Sequence, residues 1–120
     1  MLDVEQLERF GEEGYLVFER LVEGDDLSHF VAIFDELVAH GTSLTEPAPH
    51  YSLELSDKGD TIPHRLHKVQ GVCVAEPRLK ALASHPLITE RAAQLLQSEE
   101  LDVFGTKFFP KLAGGGTSTH

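Results

Sequence analysis

The sequence predicts an α+β domain, and three stretches carry that expectation. Residues 26–39 place Leu27, Phe30, Val31, Phe34, Leu37 and Val38 at the i, i+3, i+4, i+7 spacing of one helical face. Residues 64–72, HRLHKVQGV, read as extended backbone, with an imperfect alternation through Leu66 and then Val69 or Val72. Residues 101–109 hold a short apolar run (Val103, Phe104, Phe108, Phe109) punctuated by Lys107. Beyond Lys111 the run breaks into Gly114, Gly115 and Gly116, then Thr117, Ser118, Thr119 and His120. That closing stretch reads as a strand feeding a Gly-rich turn.

The remaining elements follow in order. Asp3 is a cap for a first short helix whose apolar residues are Val4, Leu7 and Phe10, with Gly11 and Gly14 as its end. Residues 15–18, YLVF, are β-formers and predict a short strand. Gly24-Asp25-Asp26 is a turn and N-cap signal for the long helix, with Asp35 and Glu36 on or near its wet side. Gly41 after His40 predicts that helix's stop. Residues 42–63 lack a period and hold Pro47, Pro49, Gly59 and Pro63. They predict a long loop with room for a short strand at 51–55. Glu76-Pro77 opens another helix, with Leu79 and Leu82 inward. His85-Pro86 interrupts it, and a further helix runs to Gln97 on an apolar face of Ile88, Ala92, Leu95 and Leu96, before a turn at 98–100. No internal repeat or linker divides the chain, which reads as one domain over residues 1–120.

Composition narrows the class. With 41% hydrophobic and 25% charged residues, the chain fits one globular domain or part of one. No apolar run approaches the roughly 20 residues of a membrane helix, and no secretory leader pattern opens the chain. Neither a membrane nor an export route is therefore expected, and a cytoplasmic location is. The single cysteine, Cys73, excludes an internal disulfide. It is flanked by valines and reads as a small core residue. A net charge of −10 argues against a nucleic-acid partner, which needs a basic footprint. The charge is uneven. Most acids lie in residues 1–60, whereas Arg65, Lys68, Arg78, Lys80, Arg91, Lys107 and Lys111 lie beyond them. This suits a small-anion site in the second half, or else simply a solvated acidic surface.

The titratable residues supply few candidates by themselves. Of the seven histidines, His64 and His67 are three apart, but on a strand they point to opposite faces and do not chelate together. His29 and His40 read as surface residues of the long helix. The run of glycines before Thr117 lacks the Gly-Lys-Ser/Thr ending and following helix of a phosphate loop. Lys68 and Lys107 are more informative, because each lies in a largely apolar, strand-like segment. A lysine facing inward needs an anion; on an edge strand it simply faces solvent.

Four pieces of the chain, in order, carry a resemblance. They are Phe10-x-x-x-Gly14-Tyr15-Leu16-Val17; the helix over residues 25–37; Lys68-Val69-Gln70 followed by a helix ending at His85-Pro86; and residues 108–111 with the Gly-Thr-Ser-x-His run. Together they resemble the N-terminal portion of the phytanoyl-CoA dioxygenase family of iron(II)- and 2-oxoglutarate-dependent oxygenases. The resemblance implies a double-stranded β-helix, or jelly roll, with helices packed outside. It implies Fe(II) and 2-oxoglutarate as cofactors of the complete enzyme, which hydroxylates a small organic substrate. The family's iron is held by a His-x-Asp pair and a distant His, which leaves coordination positions open.

In the family the His-x-Asp pair follows the Gly/Thr/Ser turn by a few residues. His120 matches the residue ahead of that pair rather than a ligand. The resemblance thus implies no catalytic and no metal residue within residues 1–120, and a chain of this extent is expected to be inactive and to bind neither cofactor appreciably. Two cofactor-binding residues carry over. Lys68 matches the lysine of the Lys-Val-Gln segment that contacts 2-oxoglutarate, and Lys107 matches a position lining the same pocket. The chain departs from the family where a common Lys-Pro-Pro is Lys111-Leu112-Ala113. Part of a jelly roll leaves strand edges exposed, so self-association is a further expectation. The rival reading is a non-catalytic interaction module with an acidic face.

Overall fold

The computed structural model of this chain describes residues 1–115; His120 and the four residues before it lie outside them. Asp3 starts helix α1 (Val4–Glu13) through a reciprocal capping box. Gln6 N–H donates to Asp3 Oδ1 at 2.8 Å, and Asp3 N–H donates to Gln6 Oε1 at 3.0 Å. Gly14 closes the helix in the left-handed region at φ 82°, where its N–H reaches the Phe10 carbonyl. Gly11 does not end the helix, as the sequence suggested; it lies within it.

Residues 15–18 form no strand, contrary to expectation. Tyr15 and Val17 are exposed. A lone run of β-formers has nothing to pair with unless the topology brings a neighbour beside it. Phe18 instead lies under the Arg91 guanidinium, 5.4 Å from the ring centroid.

Helix α2 (Gly24–Thr42) is the main packing element. Its buried residues are Phe30, Ile33, Leu37 and Gly41, a stripe rotated from the anticipated face, with Leu27 and Val31 exposed. Asp35 and Glu36 are exposed as expected. Gly41 does not stop the helix. It sits inside it because α2 there presses on the sheet: a Cβ at Gly41 would lie 2.5 Å from Leu66 Cδ2.

The anticipated long loop folds into a hairpin. Strands β1 (Tyr51–Leu55) and β2 (Thr61–Gln70) pair antiparallel around a turn at 56–60, where Gly59 has φ 85° and Ser56 Oγ accepts from Asp60 N–H. Strand β3 (Lys107–Phe108) pairs antiparallel with the other side of β2, so β2 is central in a three-stranded sheet. The apolar run from Val103 is a strand only at its end, and Phe104 is fully exposed.

The imperfect alternation in β2 has a structural cause. Tyr51 pairs with Val69, Ser52 with Lys68 and Leu53 with Leu66, which leaves His67 as an extra residue. This bulge lets Leu66 and Val69, three apart, both turn into the core. A second irregularity falls before Leu55–Thr61, near His64, which has φ 66°.

Beyond β2, Gly71 (φ 65°) turns the chain into α3 (Val72–Ala75). Pro77–Leu79 is a 3-10 turn rather than the start of an α-helix. It leads into α4 (Lys80–Ala83) and, after His85, α5 (Pro86–Leu96). None of α5 is fully buried, and Leu96 is exposed. The fold is thus α+β, with α2 on one face of the sheet. Phe30, Ile33 and Leu37 meet Leu53, Leu66, Val69, Val72 and Leu79 in one core. Each such side chain contributes about 1.5–3 kcal/mol when fully buried. No helix of the described residues is long and apolar enough to cross a membrane.

Candidate functional site

The face of the sheet turned away from α2 is polar. Residues that alternate with the core set of β1 and β2 point to it: Ser52 and Glu54, Arg65 and Lys68, with His67 from the bulge. The chain after β3 adds Phe109 and Lys111. The His67 ring stands edge-on to Phe109 with centroids 5.6 Å apart, and Lys111 Nζ lies 5.8 Å from the same ring centroid. Three cationic side chains and one imidazole therefore gather on a single face of an acidic protein.

One carboxylate is built into this face. Glu54 is 7% exposed, and Arg65 Nε donates to its Oε2 at 2.9 Å. In the sequence Glu54 occupies a polar position between Leu53 and Leu55 and looks like an ordinary solvated residue. Only the sheet's second face being partly covered buries its carboxylate against the part-exposed Arg65. Neither Glu54 nor Arg65 was legible as a site residue.

Lys68 is half-buried, on the central strand, paired in register with Ser52. Ser52 Oγ is buried without a hydrogen-bond partner among the described residues. Lys107 is exposed on the edge strand, in register with Gln70. The two lysines singled out by sequence thus stand in different settings. His67 is held below its ordinary pKa of 6.5, first by burial and then by the positive charges of Lys68 and Lys111, with Glu54 opposing them. Burial, ahead of the neighbouring charges, is what favours the neutral imidazole here.

His40, His50, His64 and His85 make structural contacts. His50 Nδ1 donates to the Gln70 carbonyl at 2.8 Å, and His64 Nδ1 donates to the Thr42 carbonyl at 2.8 Å. His64 and His67 therefore do not converge. His85 accepts at Nδ1 from Leu87 N–H and faces Asp26 Oδ2 with Nε2 at 3.1 Å, so it caps α5 and ties it to α2. His40 stacks edge-on against Tyr51. Cys73 Sγ reaches the Leu79 carbonyl at 3.6 Å beside the core, and its N–H donates to Thr106 Oγ1.

Both cofactors implied by the resemblance can be tested against these residues. For a carboxylate ligand the fit is good: a half-buried ammonium, an unspent hydroxyl donor and the nearby Lys111 ammonium lie on one face. For iron it is not. Among the described residues no group of three or more His, Cys, Asp or Glu side chains is placed to hold a metal.

A concavity lies away from this face. An apolar cleft of about 840 Å³ opens between α3–α5 and the segment before β3, lined by Val74, Ile88, Ala92, Leu96, Val103 and Phe104. It shares Gln70 with the sheet but none of the cationic cluster.

No family model matches the chain, and no curated protein and no solved structure matches it.

Proposed function

We propose that the polar face of the sheet is the 2-oxoglutarate-facing wall of an iron(II)- and 2-oxoglutarate-dependent oxygenase, of which this chain forms the N-terminal portion. The observation that carries the reading is Lys68: a half-buried lysine on a central strand, directed away from the core, beside a buried hydroxyl without a partner. The ordered motif resemblance independently points to the same residue. In this reading the three antiparallel strands begin a jelly roll, with helices outside and the polar face toward the interior. A sheet covered by helix on one side and polar on the other supports that arrangement.

The chain's own residues would do three things. Lys68 would hold a carboxylate of 2-oxoglutarate by a charge-assisted hydrogen bond. Lys111 would raise the local positive potential, and His67, kept neutral by burial, would line the site beside it. Phe109 would exclude water from one side of the anion, which strengthens the pairing. The complete enzyme would hydroxylate a small organic substrate, with the metal ligands supplied outside the described residues.

The test uses the complete protein. Lys68→Ala removes one charged hydrogen bond, and its apparent KM for 2-oxoglutarate should rise about 10-fold or more. Lys107→Ala, on the exposed edge strand, should change it by less. An unchanged affinity in Lys68→Ala overturns the assignment.

A further inference from the structure

We propose that the part-buried Glu54–Arg65 pair is a seat for the turn at residues 112–115, and that Gly115 is glycine because a side chain there would meet the pair. The turn is closed by Gly115 N–H donating to the Leu112 carbonyl at 3.1 Å. A Cβ on Gly115 would come within 2.6 and 2.7 Å of the two carboxylate oxygens of Glu54, and would overlap Arg65 Nη2. The backbone of the turn is therefore in direct contact with the ion pair.

The two neighbouring glycines serve different needs. Gly114 has φ 71°, a left-handed conformation that favours glycine, and open space where a Cβ would be. Gly115 is not left-handed, so there it is contact rather than backbone conformation that disfavours a side chain, which would have to displace the ends of Glu54 and Arg65. One glycine makes the bend and the next lets the bend lie against the sheet.

An ion pair this enclosed is weak evidence for stability, because desolvation offsets much of the attraction. Its geometric effect is clearer. Arg65 on β2 is held by Glu54 on β1, so the guanidinium is fixed across the hairpin. The turn resting on it is fixed in turn, beside Lys111, which shares the Phe109 ring with His67. Glu54 and Arg65 are thus positioning residues for the edge of the cationic face. The seat stands on geometry alone; its effect on anion binding rests on the function proposed above.

Amide hydrogen exchange on the 120-residue chain tests the seat. Gly115→Ala should speed exchange in the turn about tenfold or more, above all at the residue-115 amide that donates to the Leu112 carbonyl, since the turn is forced off the pair. Gly105→Ala is the control, because a Cβ there meets nothing within 4 Å and φ is ordinary. It should leave the same amides unchanged. A Glu54→Ala, Arg65→Ala background removes the three atoms nearest the added Cβ, so there Gly115→Ala should no longer change exchange. Exchange in Gly115→Ala equal to that of the parent or of Gly105→Ala, or an undiminished effect of Gly115→Ala in the Glu54→Ala, Arg65→Ala background, overturns the proposal. In the complete protein, Gly115→Ala should also weaken 2-oxoglutarate binding. If exchange responds as stated while neither Gly115→Ala nor Lys68→Ala alters 2-oxoglutarate binding, the seat stands and the proposed function fails.

Discussion

Gly41 and Leu66 claim the same space. An added methyl group on Gly41 would lie 2.5 Å from Leu66 Cδ2, 2.8 Å from Cδ1 and 3.0 Å from Cγ, and Leu66 is 1% exposed. A glycine normally weakens a helix interior by about 0.5–1 kcal/mol relative to alanine. Here it is the residue that lets α2 approach the sheet closely enough to bury Leu66.

Gly41→Ala should therefore destabilise the fold despite its gain in helix propensity. Overpacking costs about 1–3 kcal/mol, against a gain of about 1 kcal/mol. A net loss near 1 kcal/mol in urea unfolding is the expected result. Gly11→Ala, within α1 with open space at its Cβ, should instead stabilise or be neutral. Stabilisation by Gly41→Ala would show that Leu66 moves aside freely.

The pH dependence follows from His67. Its folded-state pKa is lowered, so the unfolded chain binds the proton more readily. Its contribution to stability is full above the ordinary value of 6.5 and is lost progressively as pH falls below it. His67→Gln should flatten the stability profile between about pH 7 and pH 5 relative to the parent, measured by denaturant midpoints. An identical slope in the two proteins would place the acid sensitivity elsewhere.

The start of α1 depends on a single local motif. Asp3→Ala removes the acceptor for Gln6 N–H and breaks the reciprocal pair, at a cost of about 1 kcal/mol to the helix. Leu2 is buried at 7% exposure and its N–H donates to Gln94 Oε1 at 2.9 Å, so α1 is tied to α5 at this same end. Amide exchange should rise in the first turn of α1 and leave β2 protected. Equal protection in both proteins would show that the cap contributes little.

Elements with local causes were legible in the sequence. The Asp3 cap, the Gly14 stop, the amphipathic body of α2 and the proline and histidine that separate α4 from α5 depend on residues a few positions apart. The strand at 51–55 was anticipated only as an option, because its existence depends on pairing with β2. The strand over 15–18 had the right composition and no partner. Leu66 and Val69 violated alternation until the bulge at His67 placed both on one face.

The candidate site divides along the same line. The sequence by itself determined an acidic α+β chain with a cluster of cations in its second half, and Lys68 was visible as a lysine within a strand. Tertiary structure decided that β2 is central, that Lys68 and His67 share a face with Lys111, and that Glu54 is buried against Arg65 under Gly115. Helix caps and turns are set by neighbours along the chain. Strand order, burial of a charge and a glycine required by contact are set by residues brought together from distant positions, and a single sequence carries no separate signal for them.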